Sequence, residues 1–136
     1  MQEHHGVAVL SRHPRAAAQA RTVLEQVAPD GLPGTDMAAL LLSEVVSNAV
    51  RHAKGAAIEL AIGVDRPAGV ITVAVFDTEP LMGSGARSSR LDAGAQAQTE
   101  LETGRGLDLL DAVADAWGVA TVGGRGKWVW FQVPAA

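Results

Sequence analysis

The chain switches between two hydrophobic periods. From Ala16 to Val27 the residues are good helix formers, with Ala20, Val23, Leu24 and Val27 on one face. That spacing predicts an amphipathic helix. Ser11-Arg12-His13-Pro14 reads as its entry, with Pro14 near the first turn, where a missing N–H costs little. Pro29-Asp30-Gly31-Leu32-Pro33-Gly34 breaks the pattern. Thr35 or Asp36 can cap a second helix, predicted from Met37 to His52 or Ala53. Val7 to Leu10 is a short apolar run and reads as a first strand. Ala57 to Val64 alternates with a period of two, Asp65 to Gly69 is turn material, and Val70 to Phe76 is almost continuously apolar. The last run predicts a buried central strand ending at Asp77.

Residues 78–103 break both periods, with Gly83, Ser84, Gly85, Ser88, Ser89 and Gly94 among alanines and polar residues. A stretch of this length in a compact domain is expected to be a functional loop or lid. Helical spacing returns from Gly104 to Ala116, with Leu107, Leu110 and Val113 repeating. Trp117 to Val122 and Lys127 to Val133 read as a final hairpin around Gly123-Gly124-Arg125-Gly126. The order β-α-α-β-β-lid-α-β-β predicts one α+β domain over residues 1–136. It is a two-layer sandwich with a mixed, mostly antiparallel sheet and helices on one face.

Composition narrows the function classes. With 136 residues the chain has the size of a single domain. It has no cysteine, so a disulfide framework and a zinc–thiolate site are excluded. A net charge of -4 argues against wholesale binding to nucleic acid. No apolar run reaches the roughly 20 residues of a membrane span, and Met1-Gln2-Glu3-His4-His5 lacks a signal pattern. A cytoplasmic protein is expected. His4-His5 reads as a frayed terminus rather than a metal site.

Three places carry candidate chemistry. At about 100° per residue, the second helix sets Leu41, Leu42, Val45, Val46, Ala49, Val50 and Ala53 on a core arc. Opposite that arc, Glu44, Asn48 and Arg51 share one narrow stripe, with His52 at its edge. A carboxylate can accept a proton, and an amide oxygen is a neutral ligand suited to Mg²⁺ beside phosphates and waters. Arg51 can pair with Glu44 or with phosphate. The bland alternative is a solvated face of an amphipathic helix. Next, Glu102-Thr103-Gly104-Arg105-Gly106-Leu107 stands where a helix begins. Glycines let backbone approach a ligand, a helix N-terminus offers unpaired N–H groups to phosphate, and Arg105 adds a charged fork. An ordinary glycine-rich helix entry is the alternative. Third, Asp77 at a strand end can accept a hydrogen bond from an exocyclic amine, or simply cap a turn. Two nucleotide motifs are absent. Trp128 stands where a P-loop after Gly126-Lys127 needs Ser or Thr, and Leu109 stands at the third glycine of the dinucleotide fingerprint.

Taken in order, these segments resemble one family. Glu44-Val45-Val46-Ser47-Asn48-Ala49-Val50-Arg51-His52-Ala53 is similar to the N box of the histidine-kinase-like ATPases, in the form used by the anti-sigma-factor serine kinase branch. Asp77 resembles the adenine-reading Asp of the next box. Glu102 to Leu107 resembles the later glycine box, and Trp117-Gly118-Val119 with Gly126-Lys127-Trp128-Val129-Trp130 resembles the domain end. Small stand-alone ATP-binding regulators of streptomycetes are similar over about Ala16 to Val133. The resemblance implies a Bergerat ATP-binding fold with ATP and Mg²⁺ as cofactors, and Asn48 as metal ligand. It implies Glu44 as general base, and a nucleotide held by Asn48, Arg51, His52, Asp77, Gly104, Arg105, Gly106 and Leu107. Residues 78–103 would be the ATP lid. The implied partners are a sigma factor and a small anti-sigma-factor antagonist carrying the acceptor serine. The chain departs from the pattern in two places. The Asp box reads Asp77-Thr78-Glu79-Pro80-Leu81 without its glycines, and Trp128 replaces a small hydroxyl residue near the base. Trp128 could stack on adenine or fill part of its pocket.

Two functions follow. One is an ATP-dependent serine/threonine protein kinase that also holds a sigma factor. The other is an ATP-sensing or nucleotide-degenerate binding module without phosphoryl transfer. A full sensor histidine kinase fits poorly, because the sequence shows neither a membrane segment nor a dimerising helical hairpin. Trp128, Trp130 and Phe131 are expected in the core, with an exposed patch for a homodimer or a partner as the alternative.

Overall fold

A computed structural model describes residues 3–52, 55, 57–77, 105–123 and 125–136. The elements are β1 (Glu3–Ser11), α1 (Ala16–Val27), α2 (Thr35–His52), β2 (Ala57–Asp65), β3 (Val70–Asp77), α3 (Arg105–Val113), β4 (Ala116–Val122) and β5 (Gly126–Pro134). The strands form one five-stranded sheet in the order β1-β2-β3-β5-β4. The α+β class and the element order stand as the hydrophobic periods predict. Where a mixed sheet was expected, all four pairings are antiparallel. The expected lid, residues 78–103, lies outside the described residues.

Alternation along the strands builds the core. Ile58, Leu60, Ile62 and Val64 of β2, Ile71, Val73 and Val75 of β3, and Val129, Phe131 and Val133 of β5 are buried. They face the inward stripes of the helices, with Ala20 and Leu24 from α1, Leu41, Leu42, Val45, Val46 and Ala49 from α2, and Leu110 from α3. Each large aliphatic side chain so placed stabilises the fold by about 1.5–3 kcal/mol relative to exposure. Phe131 pairs with Trp117 across β5 and β4, and both are fully buried. The Trp117 indole N–H points to Asp111 at 3.4 Å.

Three boundaries differ from the sequence expectation. β1 begins before Val7, because His4 and His5 pair with Val64 and Gly63 in a continuous ladder with β2. These histidines are therefore strand residues and not a frayed end: the antiparallel ladder with β2 carries the backbone through both positions whatever the side chain. Helix α2 begins at Thr35, and neither Thr35 nor Asp36 caps it. Its first backbone bond runs from the Ala38 N–H to the Gly34 carbonyl at 3.0 Å, so Gly34 holds the cap position. The Thr35 hydroxyl is buried without a hydrogen-bond partner. The Gly34 N–H donates to the Ala135 carbonyl at 2.8 Å, and a Cβ on Gly34 would stand 2.0 Å from the Pro134 carbonyl oxygen. Only glycine lets the chain after β5 lie against the start of α2. Finally, α3 ends at Val113 and β4 starts at Ala116, because the strand register claims residues that helical spacing alone had extended over.

The end of α2 is anchored from β1. Arg12, just past that strand, donates to the Val50 carbonyl at 3.1 Å and the Gly55 carbonyl at 2.7 Å. The Val50 carbonyl is one that a helix end leaves without an intrahelical partner, and Gly55 lies in the segment that follows the helix. Arg21 of α1 donates to Ser43 of α2 at 2.8 Å and ties the two helices together. The helix bearing the candidate stripe is thus fixed at its middle and its end. Among the described residues, no helix is long and apolar enough to cross a membrane.

Candidate functional site

The polar stripe of α2 forms as its spacing predicts. Glu44 and Asn48 are both half-buried, while their neighbours Val45, Val46 and Ala49 are in the core. Arg51 and His52 follow in the last turn and are exposed. The Arg51 guanidinium donates to the Asn48 amide oxygen rather than to the Glu44 carboxylate that the sequence offered. The Asn48 oxygen is thus an acceptor engaged by a guanidinium one turn on.

Asp77 ends β3, directly opposite Lys127 on β5. The Lys127 ammonium lies 2.9 Å from Oδ1 and 3.0 Å from Oδ2 of Asp77. Both side chains are buried, with Asp77 3 % and Lys127 5 % exposed. They are the buried charged residues among those described. A carboxylate out of water must be paired, and this one is paired with bidentate geometry.

Lys127 is the residue that sequence reasoning passed over, although its signal was present. From Lys127 onward, every second residue of β5 (Val129, Phe131, Val133) is apolar and faces the core. A lysine in phase with that series points inward, so it requires a buried counter-ion. The same alternation corrects the expectation for Trp128. Trp128 and Trp130 project to the face away from the helices, as Phe76 does on β3. Phe76 and Trp128 are register partners, with ring centroids 5.1 Å apart at 53°. Trp128 therefore lies on the opposite side of the sheet from Asp77, where it neither stacks on a base held by Asp77 nor fills its pocket. Phe131 is in the core, and Trp128 and Trp130 are half-buried on the outer face.

Of the glycine box, Glu102, Thr103 and Gly104 lie outside the described residues. The backbones of Arg105, Gly106 and Leu107 form the first turn of α3. A helix thus begins where the spacing predicts one. Among the described residues, no group of three or more His, Asp or Glu side chains could hold a metal ion by itself. The donor set suits Mg²⁺ that takes one protein oxygen and completes its shell with phosphates and water. A half-buried amide oxygen, a buried carboxylate at a strand end and a helix start fit a magnesium–nucleotide complex.

A comparison with curated proteins finds no match. The family model described as histidine kinase-like ATPase domain matches residues 10–133, from the end of β1 to the end of β5, and so spans both α2 and the Asp77–Lys127 pair. The chain belongs to the histidine kinase-like ATPase domain family.

Proposed function

We propose that this chain is an ATP-binding regulatory protein that works as a serine/threonine protein kinase of the anti-sigma-factor type. In this reading it phosphorylates a small antagonist protein and binds a sigma factor. The observation that carries it is the pairing on α2 of a half-buried carboxylate, Glu44, with an amide, Asn48, one turn later. Asn48 would ligate Mg²⁺. Asp77 would accept a hydrogen bond from the base, and Gly104, Arg105, Gly106 and Leu107 would meet the phosphates, with Arg51 and His52 at the rim. Bound ATP with Mg²⁺ would supply the transferable phosphoryl group and neutralise its charge. Glu44 would orient the acceptor serine and take its proton, which is the contribution such transfers require of the protein besides positioning.

A second reading has its own support. Lys127 donates to both oxygens of Asp77, and Arg51 donates to Asn48. A site whose polar groups already have internal partners also suits a binding module that works by protein contact without transfer. Glu44→Ala separates the two readings. Incubation with γ-labelled ATP and a small antagonist protein should give phosphoserine with the wild type and none with the variant, while both retain ATP. Sigma-factor binding that persists without any transfer by the wild type would favour the module.

A further inference from the structure

An antiparallel sheet covered on one side commonly turns polar residues to water on the other. This sheet does not. Among the described residues, the helices pack on its inner face, and the middle of its outer face is apolar or small. β1 turns out Val7 and Val9, which are 81 % and 70 % exposed. β5 turns out Trp128 and Trp130, both half-buried. Between these two ridges β2 and β3 carry small side chains, Ala61 and Gly63, then Thr72 and Ala74. A depression there is lined by His5, Val7, Ala61, Gly63, Thr72 and Ala74. Beyond the tryptophans, β4 turns out Ala116, Gly118 and Ala120. The charged outward residues Glu59 and Asp65 of β2 stand toward the two ends of that strand. Thr72 and Gln132 partner each other at 3.1 Å. An apolar face of this extent marks an interaction surface.

We propose that a second copy of this chain covers the outer face, sheet against sheet, to form a two-fold dimer. The relief of the face argues for that occupant. The strand order β1-β2-β3-β5-β4 puts β3 at the centre. A two-fold axis along β3, midway between two facing sheets, exchanges β1 with β4 and β2 with β5. It sets the Val7–Val9 ridge over the small residues of β4. The same operation sets the tryptophan ridge over Ala61 and Gly63. Large meets small on both sides of the axis, which is the self-complementarity an isologous interface requires. Facing sheets pack about 10 Å apart with strands within about 30° of each other, a spacing that interdigitated side chains fill. The area is sufficient. Five strands about 4.8 Å apart, with seven residues in the shortest, give a face of about 24 by 23 Å. Two such faces bury about 1,100 Å², the size at which specific interfaces begin. The tryptophans supply the anchors that dominate such contacts. The interface leaves the Glu44–Asn48 stripe open, because α2 lies on the other side of the sheet.

The test is sedimentation equilibrium of the full chain, wild type beside Ala74→Lys and Val7→Lys. The wild type should approach twice the mass of one chain, with half-association at or below about 100 μM, the weak end for an interface of this size. Ala74 lies on the central strand, so Ala74→Lys brings two charges together at the axis and should weaken association at least about tenfold. Val7→Lys, at a position exposed in the single chain, should also weaken it with the fold unchanged. A wild type that stays a single chain above that concentration overturns the proposal. So does a dimer that yields to Val7→Lys but survives in folded Ala74→Lys, because pairing then runs along the β1 edge. Should Ala74→Lys fail to fold, acrylamide quenching of the wild type decides the matter. Trp117 is buried in the single chain, so the change on association comes from Trp128 and Trp130, which should become shielded. Equal quenching in dilute and concentrated protein overturns the proposal. Each of these failures leaves the nucleotide reading intact.

Discussion

Asp77 and Lys127 face each other across β3 and β5, and each removes the other's charge from an otherwise apolar layer. Breaking a buried pair by removing one partner costs about 3–5 kcal/mol, because the remaining charge is stranded. Asp77→Ala and Lys127→Met should each lower unfolding stability by that order in urea titration. The neutral double variant Asp77→Asn/Lys127→Met should recover most of the loss. Equal stability of all four proteins would mean that the pair is solvated. For the same reason Asp77→Asn, which keeps a polar group, is the better probe of the base site than Asp77→Ala.

Gly34 predicts a second stability effect. A methyl group there would collide with the Pro134 carbonyl, where backbone cannot yield as a side-chain tip can. Gly34→Ala should cost about 1–3 kcal/mol, the range for forced overpacking. Thermal unfolding followed by circular dichroism measures it. A wild-type midpoint in the variant would refute the close approach of the C-terminal segment to α2.

The outer face supplies a test of strand phase. Because Trp128 packs with Phe76 away from the helices, Trp128→Leu should alter ATP affinity less than about twofold, a change below about 0.5 kcal/mol. A tenfold loss would place the indole against the nucleotide and contradict the alternation.

Arg12 links the sheet to the helix that carries the stripe. Arg12→Ala removes donors from the Val50 and Gly55 carbonyls, and should destabilise the protein by about 1 kcal/mol, as its exposure limits the contribution. Hydrogen exchange should then rise first in the last turn of α2, at Val50, Arg51 and His52. Protection unchanged in that turn would mean that the helix end is held by packing alone.

Much of this was legible before the coordinates. The core arc of α2 and the stripe of Glu44, Asn48 and Arg51 followed from the 3.6 period, since a helix transmits spacing directly into facing. The order of elements followed from the change of period at Ala57. What a single segment could not reveal was pairing. That His4 and His5 belong to β1 depends on β2 lying alongside, and that Gly34 replaces Thr35 at the cap depends on Ala135. Trp128 was misplaced because a motif position was weighed without its strand phase, and the same omission hid Lys127 beside it. Both were decided by counting twos from the buried Val129 and Phe131.

We propose that the Glu44–Asn48 stripe of α2 binds a magnesium nucleotide. Calorimetric titration of the wild type with Mg–ATP, beside Asn48→Ala, tests it most directly. Saturable binding by the wild type, weakened at least about tenfold in Asn48→Ala with the fold intact, is the predicted result; that loss corresponds to about 1.4 kcal/mol. No binding by the folded wild type, or equal affinity in the two proteins, would contradict the account.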